Sequence, residues 1–163
     1  MKVLVAAARR HGATQEIAEA IGRTLDAEGM HASVAAIGDA GDPSGYDAVV
    51  LGSAVYMGHW LDEATKFVES RGAALSARPT WLFSSGPIGD PPRPGEAQAV
   101  DVDDLMAKTR AKGHKLFAGK LDKGKLGFGE RAVMLAFRAG EGDYRDWHEV
   151  EAWARAIARE LRT

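Results

Sequence analysis

Lys2-Val3-Leu4-Val5-Ala6-Ala7-Ala8 is an almost unbroken apolar run, and it leads straight into Arg9-Arg10-His11-Gly12-Ala13-Thr14. Residues 15–28 then place Ile17, Ala18, Ile21 and Leu25 on one helical face, and Gly29 closes the segment. The pattern is a buried strand, a short polar loop and the N-terminus of a helix. Unpaired N–H groups and the positive end of the helix converge on such a loop, which makes it an anion cradle. An ordinary βα turn with a helix cap would use the same residues. The loop lacks the GxxxxGK[ST] spacing and the lysine of a nucleoside triphosphate site, and it contains no GxGxxG. What remains suits one phosphate monoester held by backbone amides, the Thr14 hydroxyl and a neighbouring arginine.

The rest of the chain repeats the alternation. Residues 32–37 read as a second strand, followed by a Gly/Asp/Pro/Ser loop through Gly45. A third strand, 47–52, is nearly all apolar, as a strand covered on both faces should be. It opens into a loop, Ser53-Ala54-Val55-Tyr56-Met57-Gly58-His59-Trp60, before a helix from about Asp62 to Ala74. A fourth strand, 80–83, ends in Ser84-Ser85-Gly86-Pro87-Ile88-Gly89-Asp90-Pro91-Pro92, which is too rich in proline for regular structure and reads as a loop. Residues 101–112 look helical and 114–119 form a fifth strand. The last helix starts at Asp146, with Glu149 three residues on, and is expected to bury Trp147, Val150, Trp153, Ala154, Ile157 and Leu161. Five βα units without repeat or linker imply one doubly wound parallel sheet with helices on both faces, in a single domain spanning 1–163.

Such a sheet binds ligands beyond the carboxyl ends of its strands. The loops after the first, third and fourth strands lie there. One suits a phosphate, one holds Tyr56 and Trp60 around a glycine, and one is stiffened by prolines. A ligand with a phosphate at one end and a flat ring at the other fits this set. Trp60 can equally be core packing beneath the following helix.

Composition removes other classes. The 163 residues are 45% hydrophobic, enough for one core, and contain no cysteine, so disulfides, thiol nucleophiles and cysteine metal sites are excluded. Histidines 11, 31, 59, 114 and 148 show no pair at metal-ligand spacing, and no metal is expected. No stretch approaches 18 apolar residues and the start of the chain does not read as a leader, so the expected location is cytoplasmic, with any membrane contact peripheral and on the inner face. The net charge of −2 hides an asymmetry: residues 1–107 hold 8 Lys/Arg against 15 Asp/Glu, whereas 108–163 hold 13 against 8. Lys108, Arg110, Lys112, Lys115, Lys120, Lys123 and Lys125 face only Asp122 in their stretch. That density attracts an anionic ligand or an acidic membrane surface, or simply solvates one face. Aromatic residues do not interleave with it, so no nucleic-acid partner is expected. Gly127-x-Gly129-x-x-Ala132 mimics a dinucleotide fingerprint, but it follows no buried strand and no βαβ unit remains after it. Ser84-Ser85-Gly86 lacks the flanking pattern of a nucleophile elbow.

The loop Arg9-x-His11-Gly12-x-Thr14 resembles the flavodoxin phosphate loop, [ST]-x-[ST]-G-x-T, and residues 47–60 resemble that family's flavin-ring loop. The similarity reaches further towards the menaquinone-dependent protoporphyrinogen IX dehydrogenases, through Arg10-x-Gly12-x-Thr14 with Glu16-Ile17-Ala18, Gly52 to His59, and Asp146-Trp147 with Trp153-Ala154-Arg155-x-Ile157-Ala158. The resemblance implies a flavodoxin-like five-stranded sheet of order 2-1-3-4-5 and FMN as cofactor. It assigns FMN contacts to Arg9, Arg10, His11, Gly12, Ala13, Thr14, Ser53, Ala54, Val55, Tyr56, Met57, Gly58, Ser84, Ser85, Gly86, Pro87, Ile88 and Gly89. No side chain receives a catalytic role, since FMN carries the chemistry. The Met57-Gly58 peptide is expected near the flavin N5, followed by His59 where many electron carriers have an acid. Arg9 and His11 replace two loop hydroxyls of the family, yet neither change removes a backbone donor, and a guanidinium can pair with a phosphate dianion.

By the same resemblance, an insertion at about 119–142, between the fifth strand and the last helix, would serve substrate or membrane contact. It carries Leu126, Phe128, Val133, Met134, Leu135 and Phe137 among basic residues. Two functions follow. One is an FMN oxidoreductase passing electrons from an organic, protoporphyrinogen-like substrate, anionic and lipophilic, to a quinone. The alternative is a flavodoxin-type electron carrier that docks on a redox partner protein. Such carriers are typically strongly acidic, and a pI near 6.2 with a basic C-terminal third favours the enzyme.

Overall fold

The computed structural model describes residues 1–8, 13–56, 58–86, 102–118, 120–121, 142–143 and 147–162. Strand β1 (Lys2–Ala8) is buried from Val3 onwards, and the small alanines at its end let both layers approach closely. It feeds α1 (Ala13–Ala27), whose Ile17, Ala18, Ile21 and Leu25 are fully covered. Next come β2 (His31–Ala36), two short 3₁₀ turns (Ile37–Asp39 and Pro43–Gly45) and β3 (Ala48–Tyr56). The pair β4 (His59–Trp60) and α2 (Asp62–Ser76) precedes β5 (Thr80–Gly86). Then follow α3 (Asp103–Thr109), β6 (His114–Ala118), β7 (Lys120–Leu121), β8 (Gly142–Asp143) and α4 (Trp147–Arg162).

The main sheet runs β2-β1-β3-β5-β6, all parallel, with β4 pairing antiparallel to the end of β3. This is the expected order 2-1-3-4-5 with one short sixth strand added. One face is covered by α1 and α4, where Val3, Val5, Val50, Phe83, Phe117 and Ile157 form a core. The other carries α2 and α3 over Leu4, Val49, Leu51, Trp60, Val68 and Leu82. Among the described residues no helix is long and apolar enough to cross a membrane.

Four expectations need correction. Residues 53–56 and 84–86, expected in loops, continue β3 and β5, because small residues fit between two covered faces and their backbone pairs in the ladder. Of the five expected βα units, the second has no α-helix among the described residues; β2 leads into two 3₁₀ turns within the Gly/Asp/Pro/Ser loop, where Pro43 stands at the first position of the second turn. Helix α3 is confined to 103–109, ending where Arg110 adopts φ 52°. Trp147 is 36% exposed rather than buried, since it stands in the first turn of α4, whose covered face starts at Val150.

Of the 119–142 insertion, only Lys120, Leu121 and Gly142 are described. Lys120 pairs with Asp143 and Leu121 with Gly142, so β7 and β8 bring the ends of that segment side by side.

Candidate functional site

The parallel ladder aligns the carboxyl ends of three strands. Ala8 at the end of β1 lies beside Ser53 of β3, Ser53 beside Ser84 of β5, and Ala54 beside Ser85. The loop after β1, the hairpin after β3 and the segment after β5 therefore leave the sheet from neighbouring positions on one edge. This is the crevice between β1 and β3 at which the winding of the sheet reverses, β2 lying on one side and β3 on the other.

The described residues of the expected site meet there. Ala13 begins α1, and Thr14 in its first turn is buried. Ser53, Ala54, Val55 and Tyr56 form the last part of β3, and Gly58 forms the turn into β4 at φ 81°, a conformation that L side chains rarely adopt. Ser84, Ser85 and Gly86 end β5, all buried. Arg9, Arg10, His11, Gly12, Met57, Pro87, Ile88 and Gly89 lie outside the described residues.

Buried hydroxyls distinguish this end of the sheet. Ser53 Oγ donates to the Ala54 carbonyl at 2.7 Å and accepts the Leu61 amide at 3.0 Å. Ser84 Oγ accepts Trp60 Nε1–H at 2.7 Å and lies 2.7 Å from His114 Nε2. Trp60 is thus a core residue with its one polar atom satisfied, and the Ser84 hydroxyl is engaged inside the protein. Burial lowers the His114 pKa below its ordinary value. Sequence reading missed His114 and the β3–β4 hairpin. A lone histidine opening an edge strand carries no pattern, and a two-residue strand is too short to show alternation.

The site fits FMN. Gln15 Oε1, in the first turn of α1, is buried and has no hydrogen-bond partner among the described residues. An amide oxygen in that condition calls for a donor, which a ligand hydroxyl such as those of the ribityl chain can supply. The 15-residue α1 brings the positive end of its dipole to the same end of the sheet, which favours an anion there.

The basic stretch is partly neutralised. Lys108 bonds Asp104 at 2.9 Å and stands 3.8 Å from Glu69, and Lys115 bonds Glu149 at 2.8 Å. The Asp104 hydrogen bond raises the Lys108 pKa. Lys123, Lys125 and the apolar residues 126–137 lie outside the described residues.

A flavodoxin-domain family model matches residues 4–147. Protoporphyrinogen IX dehydrogenase [quinone] of Escherichia coli strain K12 is 27% identical over 172 residues, covering 97% of this chain and 95% of that protein. A flavodoxin from the domain Archaea superposes with a TM-score of 0.67 at 16% identity, covering all of both chains. The flavodoxin of Streptococcus pneumoniae TIGR4 gives 0.63 at 19%, covering 99% of this chain and 98% of that one.

Proposed function

We propose, from the premise that this chain belongs to the flavodoxin-domain family, that it is an oxidoreductase transferring electrons from a protoporphyrinogen-like substrate to a quinone. Membership makes FMN its cofactor and oxidation–reduction its chemistry. The finer reading is carried by one observation: similarity along 97% of the chain to an E. coli protein named for that reaction.

In this reading residues 9–14 hold the phosphate through backbone amides, the Thr14 hydroxyl and the Arg9 guanidinium. The ring lies between the hairpin (53–58) and the segment 84–89. Bound there, FMN supplies reversible two-electron acceptance and delivery. The protein orients the ring and excludes water from one side of it. Gly58 allows the 57–58 peptide to change orientation without a Cβ penalty. Lys120, Lys123 and Lys125 supply cations for substrate carboxylates or an anionic membrane surface, and Leu126, Phe128, Val133, Met134, Leu135 and Phe137 supply an apolar wall. The reading places the protein in the cytoplasm, peripheral to the inner face of the membrane.

Anaerobic incubation of the FMN-loaded protein with protoporphyrinogen IX and a menaquinone analogue tests this. Porphyrin fluorescence should appear only when protein and quinone are both present. Charge reversal at Lys120, Lys123 and Lys125 should raise KM or abolish liposome binding while FMN content stays constant. An FMN-loaded protein that oxidises no porphyrinogen but exchanges electrons with a redox partner protein would establish the carrier reading.

A further inference from the structure

The hairpin that would face the flavin ring is too small to hold itself. Its ladder consists of Val55 opposite Trp60 and Tyr56 opposite His59, and an isolated two-stranded hairpin is at best marginal in water. Side-chain hydrogen bonds fix its base instead. Trp60 is bonded to Ser84 on β5, and the next residue, Leu61, to Ser53 on β3. Ser53 and Ser84 are register neighbours, so their hydroxyls form one buried ledge beneath the hairpin.

Ser84 has one proton and two lone pairs, whereas the indole nitrogen only donates. Trp60 occupies a lone pair, which leaves the Ser84 proton to be placed. His114 Nε2, 2.7 Å away on the edge strand β6, accepts it when the imidazole carries its proton on Nδ1. The Trp60 and Ser84 polar hydrogens then each have an acceptor. A protonated imidazole would instead donate to Ser84 and leave the serine proton without this partner. Burial disfavours that charged form.

We infer that His114 is a positioning residue for the flavin site: it orients the Ser84 hydroxyl, which holds Trp60 and so fixes the β3–β4 hairpin against the ring. This rests on the proposed placement of the FMN ring at the hairpin. Neither Trp60 nor His114 needs to touch the cofactor.

The test uses the FMN-loaded protein and reads the FMN dissociation constant by fluorescence quenching and the midpoint potential of bound FMN. His114→Leu should weaken binding about tenfold, the worth of one buried hydrogen bond, and shift the potential. His114→Gln, whose amide oxygen can accept the Ser84 proton, should restore both. In a Ser84→Ala background His114→Leu should add nothing, because the chain is already broken. Unchanged binding and potential in His114→Leu, full additivity in the double variant, or a Gln variant no better than Leu would each overturn the inference. Gly58→Ala separates it from the ring placement. If that change also leaves binding and potential untouched, the ring is not at the hairpin and the placement fails. If Gly58→Ala moves both and His114→Leu moves neither, the role of His114 alone fails.

Discussion

The two halves of β3 and β5 are built differently, and β3 is fully buried only as far as Ser53. Below, Ala48-Val49-Val50-Leu51 and Thr80-Trp81-Leu82-Phe83 fill the layers on either side with large side chains. Above, Ser53-Ala54 and Ser84-Ser85-Gly86 present small side chains, and the Ser53 and Ser84 hydroxyls are satisfied within the protein. Gly52 is the joint. A Cβ there would come within 2.1–2.4 Å of the Phe83 ring, which crosses beneath it to meet Phe117 and Trp153 with centroids 6.1 Å away. The lower half obtains its cohesion from dispersion and apolar burial. The upper half gives up side-chain volume where a flat ligand is proposed to approach the backbone, and holds shape by hydrogen bonds.

That contrast makes the lower half the place where mutations act on stability. Phe83→Ala should destabilise by about 3–5 kcal/mol, the cost of a large aromatic lost from a close-packed core. Gly52→Ala should cost about 1–3 kcal/mol by overpacking against the same ring. The double variant should lose less than the sum, because removing the ring makes room for the methyl. Denaturant melts of the four proteins check this, and strict additivity would show that Gly52 and Phe83 do not share the space.

The lower half is also the part that the sequence reveals. Continuous apolar runs at 47–52 and 80–83, and the helical face of Ile17, Ala18, Ile21 and Leu25, are consequences of burial on both sides or on one. They led to the doubly wound parallel sheet, while its strand order came from the family resemblance. Ser53-Ala54 and Ser84-Ser85-Gly86 are also strand, but nothing in their composition separates them from a loop. Their burial depends on partners far along the chain: Leu61, Trp60 and His114. The crevice could be placed from topology alone, whereas the hydrogen-bond chain beneath it needed three strands brought together. Trp147 failed in the opposite way. Its apolar side chain continues the α4 pattern by type, yet the covered face begins only at Val150.

At the crevice above the upper half, substitutions that touch the cofactor should act on its binding with little effect on folding, and Thr14 at the start of α1 is the strongest case. Thr14→Ala should weaken FMN binding by roughly 1.5–3 kcal/mol, as loss of a charge-assisted hydrogen bond to phosphate does. Titration calorimetry with FMN checks this. An equal loss of apoprotein stability with unchanged affinity would move Thr14 from the site into the core.

The two halves should also differ in their response to acid. Burial lowers the folded-state pKa of His114 below its unfolded value of 6.5. Its contribution is therefore complete above the unfolded pKa and is lost as pH falls through the lowered folded pKa, because the unfolded chain binds the proton more readily. Stability in wild type should fall more steeply below pH 6.5 than in His114→Gln. Parallel curves would show that His114 does not bear the proton linkage.

The smallest expected effect is at His59, exposed at the tip of the hairpin and paired with Tyr56. Many electron-carrying members of the family place an acid here, and a carboxylate near a reduced, anionic flavin opposes the second electron. At about 6 Å the repulsion is on the order of 1–3 kcal/mol between bulk-water and near-surface dielectrics. A histidine at 59 brings no carboxylate and favours a higher potential for the second electron, in keeping with the proposed delivery to a quinone rather than to a low-potential partner. His59→Glu should therefore lower that potential, by on the order of 50 mV at low salt, and by less as ionic strength screens the charge. The hairpin is held at its base by Trp60 and Leu61, so the substitution at its tip should leave the FMN affinity of the oxidised protein almost unchanged. Redox titration at two salt concentrations reads both effects. A potential indifferent to a carboxylate at 59 would mean that the tip stands away from the ring, and the contrast between the two halves would then end at the serines.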